Sequence, residues 1–262
     1  LMCLMGGRQV EQGIRHEKSL VLVKALPRGG KVHGETVCCA GVTPELEWRR
    51  QYPIRFRHLK ESKFQRWQWI EYKYRLPKDD SRPESRYVQE GSIVLGKILP
   101  KSKRPNFLNS LIRPSVEDAA KRGQSLTLIR PQNTRFKWRL KKPEELEKER
   151  QDYIKAASQK SFLDDEKTPL EPCPYEFSFD YSSEDGKTHK GICHDWETSA
   201  MYWRFSRSEG EKPALDKMGE VFNEKYPEKG MVFAMGTNSR RPKQWLLNGV
   251  ILLDETGQLP LL

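Results

Sequence analysis

The amino-acid sequence predicts an α+β protein in which a basic, β-rich N-terminal region is followed by a smaller α+β domain. Three observations predict it. Apolar runs of strand length, each closed by Pro or Gly, follow one another through roughly the first hundred residues. A helix-favouring, highly charged stretch follows near Pro143. The last third then mixes period-two segments with helical spacing.

The elements follow in order. Ser19 to Leu26 is a strand stopped by Pro27 and the Gly29-Gly30 pair, Glu35 to Val42 is a second closed by Pro44, and Glu47 to Tyr52 a third, together a β-meander. Phe64 to Tyr74, if extended, puts Trp67, Trp69, Glu71 and Lys73 on one face and Gln68, Ile70, Tyr72 and Tyr74 on the other. After a polar loop from Lys78 to Arg86, Ser92 to Leu99 is again strand-like. Ser115 to Arg122 has the serine cap, early acids and late bases of a short helix ending at Gly123, and Ser125 to Arg130 reads as a strand. Pro143 to Lys160 mixes Glu with Lys and Arg at i, i+3 and i+4 and predicts a solvated connecting helix. Tyr175 to Tyr181 alternates as one strand of a hairpin that turns at Ser183 to Gly186. Asp195 to Phe205 and Pro213 to Tyr226 carry helical spacing, and Met231 to Met235 and Trp245 to Leu253 close the chain as strands. The expected organisation is a disordered tail over 1–18, a basic β-rich domain over 19–140, a charged helical connector over 141–167 and an α+β domain over 168–262.

Charge narrows the function. The formal net charge is +11, and 32% of residues are charged against about 25% in average proteins. Seven Trp, nine Tyr and ten Phe supply too much apolar bulk for a wholly disordered chain. Between Glu45 and Arg150 there are 27 Lys and Arg against 14 Asp and Glu, so the positive charge belongs to the middle of the chain. A basic region of that size attracts polyanions, nucleic acid first among them. No run approaches the ~20 apolar residues of a membrane span, and no basic amphipathic helix favours a membrane surface. Leu1 to Gly7 lacks the charged and apolar regions of a signal peptide. Five cysteines, two of them the adjacent Cys38 and Cys39, fit reduced thiols in the cytoplasm rather than a disulfide framework.

The stretch from Lys24 to Pro27, Gly34 to Val42 and Glu47 to Pro53, followed by Asp80 to Ser85, resembles the amino-terminal half of a group of uncharacterised bacterial proteins and, more loosely, domains described as dual OB-fold-containing. A second stretch, Pro174 to Phe177 and Gly191 to Glu197, is similar to the carboxy-terminal half of such proteins. The resemblance implies an OB-like N-terminal region and a nucleic-acid-associated role, with defence against mobile DNA as its setting. It carries over no catalytic residues.

OB-type barrels combine a basic groove with aromatic platforms. This sequence interleaves the two, and the expected contacts are Arg49, Arg50, Arg55, Arg57, Arg66, Lys73 and Arg75 to phosphates, with Trp48, Trp67, Trp69 and Tyr74 as stacking groups. Alternating strands with aromatic cores and cations outside would give the same pattern. The leading expectation is DNA or RNA binding without catalysis, cofactor or metal. An alternative is a metal-dependent nuclease centred on Asp180, His194, Asp195 and Glu197, with Asp180, Asp195 and Glu197 holding a divalent cation, set against helix entry with Asp195 or His194 near the N-cap and Glu197 in the first turn. Another is a protein-interaction scaffold. Zinc through Cys173, His189, Cys193 and His194 lacks paired-ligand spacing. The acidic turn Asp79 to Ser85 and the Gly236 to Lys243 turn, with Arg240 and Arg241, read first as surface loops. No P-loop, dinucleotide fingerprint, nucleophile elbow or HExxH motif occurs.

Overall fold

The computed structural model describes residues 13–30, 34–55, 64–158, 169–239 and 241–254. In the first half, β1 (Arg15–Lys24), β2 (Arg28–Gly30), β3 (Gly34–Val42), β4 (Trp48–Arg55), β5 (Gln68–Arg75) and β6 (Ser85–Ile98) form one sheet. β1 pairs antiparallel with both β3 and β5, β3 with β4, and β5 with β6, while β4 and β6 run parallel with Arg50 opposite Ser85. These pairings close a five-stranded barrel in the order β1-β3-β4-β6-β5, with short β2 on the outside of β3. Gly41 permits the β1–β3 contact, since a Cβ there would lie 2.3 Å from the Leu20 carbonyl oxygen.

Side-chain alternation fills the barrel. In β5, Ile70, Tyr72 and Tyr74 point inward and Glu71, Lys73 and Arg75 outward. The inward set meets Val21, Val37, Cys39, Ile54, Phe64 and Val88. Trp67 departs from the expected alternation: it precedes β5 with φ at 71° and is buried outside the barrel, under the Arg104 guanidinium.

The second half contains α1 (Arg104–Leu108), β7 (Ile112–Arg113), α2 (Val116–Lys121), β8 (Leu126–Ile129), β9 (Gln132–Leu140), α3 (Pro143–Ser158), β10 (Tyr175–Ser182), β11 (Thr188–Ile192), α4 (Trp196–Glu209), α5 (Glu211–Glu220), β12 (Met231–Asn238) and β13 (Arg241–Leu252). Ser115 caps α2 by accepting from the Asp118 amide at 3.2 Å. β8 pairs with β12, and β9 with β10. Just past β11, Cys193 bridges Leu247 of β13 in parallel, and the His194 amide donates to the Leu247 carbonyl at 2.8 Å. With β8 and β9 taken as one strand interrupted at Arg130 and Pro131, the path β9-β10-β11-β13-β12-β8 repeats the order of the first barrel. Inside it, Phe136, Phe177, Phe179, Tyr181 and Phe233 pack against Tyr202, Leu215, Met218 and Phe222 of the helical segment.

A third apolar layer joins the halves. Leu20, Leu22, Ala40, Val42 and Trp48 from the first meet Leu126, Leu128, Val232, Ala234, Ile251 and Leu253 from the second. This explains the runs without polar alternation: Leu20 and Leu22 face this layer while Val21 faces the barrel interior, so β1 is covered on both sides. The expected boundary at residue 140 is corrected, because β8 and β9 pair only with strands of the second half. Strand β1 likewise begins at Arg15, inside the expected tail, whereas residues 1–12 lie outside the described residues.

Candidate nucleic-acid interface

The expected contact residues separate into two environments. Trp48, Trp67 and Tyr74 are buried, so none presents a ring for stacking. Trp48 and Trp67 stand in the layer between the halves, and Tyr74 lies inside the barrel beneath the Arg86 guanidinium, 4.8 Å from its ring centre. Arg49 donates to Glu17 and Glu47 at 2.5 Å each. Arg50 lies 3.6 Å from Glu84 and donates to the Ser125 carbonyl at 3.2 Å. Arg66 grips both Asp195 oxygens at 2.8 and 2.9 Å and the Val250 carbonyl at 2.6 Å. These arginines hold barrel and interface together, and the expectation of phosphate contacts for Arg49, Arg50 and Arg66 is corrected on that ground. The Arg55 side chain and all of Arg57 lie outside the described residues.

Trp69, Lys73 and Arg75 share the outer face of β5, because odd positions of that strand point away from the barrel. The neighbouring strands extend the face: Lys18 stands opposite Glu71, His16 opposite Lys73, and Tyr87 opposite Arg75. Lys18 pairs with Glu71 at 3.0 Å and its ammonium is 5.8 Å from the Trp69 ring centre. The Arg75 guanidinium lies 4.2 Å over the Tyr87 ring. Trp69 is half-buried, braced edge-on by Phe107 at 5.7 Å. Gly96 leaves it room, since a Cβ there would meet the Trp69 Cβ at 3.1 Å. Sequence reasoning omitted Lys18 and Tyr87; strand pairing places them beside β5.

The alternative catalytic set does not converge. Asp180 lies on the outer face of β10 and pairs with Lys137; that bond, with Lys190 and Arg135 nearby, holds its carboxyl below the usual range. Asp195 is fully buried as the N-cap of α4, accepting from the Glu197 amide at 3.2 Å and the Val250 amide at 3.0 Å besides Arg66. Burial pushes the Glu197 carboxyl up, but Arg66 and Lys24 outweigh it and lower its pKa; Lys24 pairs with it at 2.6 Å. His194 contributes its backbone, whose carbonyl accepts from the Leu26 amide at 2.8 Å. Asp195 and Glu197 therefore clasp the two halves, and Asp180, on the outer face of β10, does not join them as the nuclease alternative required. Burial pushes the Cys193 thiol up to about 12, far from a thiolate nucleophile.

Among the described residues, no group of three or more His, Cys, Asp or Glu is placed to hold a metal ion. His189, from the zinc set, bonds the Ser183 hydroxyl at 2.8 Å and stacks on Tyr181. The Asp79 to Ser85 turn is held by Asp80, which accepts from Arg82 and Ser85, and Arg82 ties it to the second half by donating to the Thr237 carbonyl at 2.8 Å. In the last turn Arg241 and Lys243 are exposed, and Arg240 lies outside the described residues. No described helix is long and apolar enough to cross a membrane.

Two families match the chain. Residues 15–113 match the one described as Domain of unknown function (DUF8758), and residues 110–259 the one described as Domain of unknown function (DUF8757). Their meeting point near residue 110 agrees with the strand pairing. No curated protein matches.

Proposed function

The chain belongs to the family described as Domain of unknown function (DUF8757), a description that carries no activity, and from its surface geometry we propose that it binds nucleic acid without catalysis. The observation that carries this reading is the outer face of β1, β5 and β6, where Lys18, Lys73 and Arg75 accompany Trp69 and Tyr87 with one acid, Glu71, among them. Cations beside partly exposed rings are what a nucleic-acid strand needs, phosphate partners together with stacking surfaces. The barrel order supports the reading: a five-stranded closed sheet with its third and fifth strands parallel is the arrangement of OB-type barrels, and we read the chain as two of them in tandem. A setting in defence against mobile DNA is what the resemblance of the two sequence stretches implies. The described cysteines are free thiols, which supports a reducing, cytoplasmic location.

The test is binding of labelled single- and double-stranded DNA and RNA at ~50 and ~200 mM salt, where several phosphate contacts produce a steep loss of affinity. Lys73→Ala/Arg75→Ala is expected to weaken binding and flatten the salt dependence by about two units of slope, roughly one per phosphate contact. These residues suit the test because they face solvent; Arg49 and Arg50 would report on folding. Absence of binding in every format would overturn the reading in favour of a protein-interaction scaffold.

A further inference from the structure

The two barrels use equivalent strands differently. In the first barrel the second and third strands are β3 and β4, and their outward residues Ala40, Val42, Trp48 and Arg50 are covered by the second barrel. In the second barrel the equivalent strands are β10 and β11, and their outer face, continued by β9, is open. Inward positions of this sheet are filled by Phe136, Phe177, Phe179 and Tyr181. Strand alternation therefore sends Arg135, Lys137 and Arg139 outward in one row along β9, all exposed. At about 3.4 Å per residue, successive cations stand about 7 Å apart along the strand.

Lys190 completes the cluster. Asp180 of β10 lies opposite Arg135 on one side and opposite Lys190 on the other, so one carboxylate sits among Arg135, Lys137 and Lys190. Arg139 is held by Glu176 and Glu145 at 2.7 to 3.0 Å. Among the described residues, neither Arg135 nor Lys190 has an ion-pair partner, and both are exposed. The face has four cations against Asp180 and Glu176, with Glu145 of α3 beside Arg139, and no outward-pointing aromatic ring along these strands.

We infer that the outer face of β9, β10 and β11 is a second nucleic-acid surface, one that binds the phosphodiester backbone and leaves the bases unread. This rests on the proposed function and divides its labour: the β5 face supplies rings for bases, whereas this face supplies charge alone. Arg135 and Lys190 are the primary phosphate contacts, and Lys137 and Arg139 are positioned beside them by their carboxylates.

The test uses the full chain with two fluorescent probes, a single-stranded DNA oligomer and an abasic deoxyribose-phosphate strand of the same length. Arg135→Ala/Lys190→Ala is expected to reduce affinity for both strands, with a salt slope lower by about two, while the Tm stays unchanged. Arg135→Lys/Lys190→Arg, which keeps the charge, should restore binding. Lys73→Ala/Arg75→Ala should cost more on the base-bearing strand than on the abasic one. If the wild type binds neither strand nor any duplex, the proposed function fails and this inference falls with it. If the wild type binds and Arg135→Ala/Lys190→Ala binds both strands with unchanged affinity and slope, only the second surface is overturned.

Discussion

Asp80 shows how a turn that reads as surface decoration becomes a structural tie. Its carboxylate accepts from the Arg82 side chain at 2.8 and 2.6 Å, from the Ser85 hydroxyl at 2.7 Å and from the Arg82 amide at 3.2 Å. Arg82 in turn reaches the Thr237 carbonyl of the second half at 2.8 Å. Burial opposes ionisation of Asp80, but these donors outweigh it and bring its pKa to about 2, below the ~3.9 of an unfolded chain. The folded state therefore favours the ionised form: the stabilisation is present above about pH 4 and is lost as pH falls through about 2. Denaturant midpoints measured from pH 5 to pH 2 should fall more steeply for the wild type than for Asp80→Asn, which should already be less stable at pH 7; parallel curves would refute the assignment. The same scale explains why the candidate site was only partly legible. Arg50 and Lys73 each stand near aromatic residues in sequence, yet the second barrel buries Arg50 while Lys73 faces solvent. Spacing reveals which side of a strand a residue occupies; what covers that side depends on distant residues, in the case of Arg50 on Ser125, 75 positions away.

The N-terminus of α4 shows what a dense cluster of reactive side chains can be for. Asp195 caps the helix, and its charge is answered by Arg66 from the first barrel, with Lys24 and Glu197 as a second pair beside it. Removing one partner from a buried ion pair leaves the other without compensation, so Arg66→Met is expected to lower stability by about 3–5 kcal/mol. A double-mutant cycle with Asp195→Asn, read from urea midpoints, should show the double variant losing less than the sum of the singles; additivity within about 0.5 kcal/mol would mean the pair is not energetically coupled. Most of the elements were legible because their signals are local. The β5 alternation, the Ser115 cap, the start of α3 at Pro143 and the apolar runs of β1 and β12 all act within a few residues. In β9, Arg135, Lys137 and Arg139 alternate with Phe136 and Trp138 as an exposed strand requires, but so charged a segment lacks the apolar run by which the other strands are legible. The partition into halves misplaced β8 and β9 for a related reason: membership in a barrel is decided by long-range pairing, and β8 finds its partner β12 about a hundred residues later.

At the scale of the molecule, the layer between the barrels makes them one cooperative unit. Burying a single Leu, Ile or Val contributes about 1.5–3 kcal/mol, and this layer takes Leu20, Leu22 and Val42 from one side and Leu126, Leu128, Val232 and Ile251 from the other. Separation would expose all of them as one patch, while also breaking the Arg66–Asp195 clasp and the Arg50 and Arg82 bonds to backbone carbonyls. That combined cost is comparable with the whole stability of a typical domain, so opening the layer and unfolding either barrel should be a single event. Thermal unfolding of the full chain should therefore show one transition with equal calorimetric and van't Hoff enthalpies, and native-state hydrogen exchange should give amides of β3 and β10 the same opening free energy. Two transitions, or a β10 that opens well before β3, would show the barrels to be independent. The distinction reaches function. If the layer holds, the cationic face of β5 and that of β9 keep a fixed relation, and one nucleic-acid strand meeting both gains from effective concentration only when it is long enough to follow the surface between them. Independent barrels would let even a short strand, or two separate ones, engage both faces.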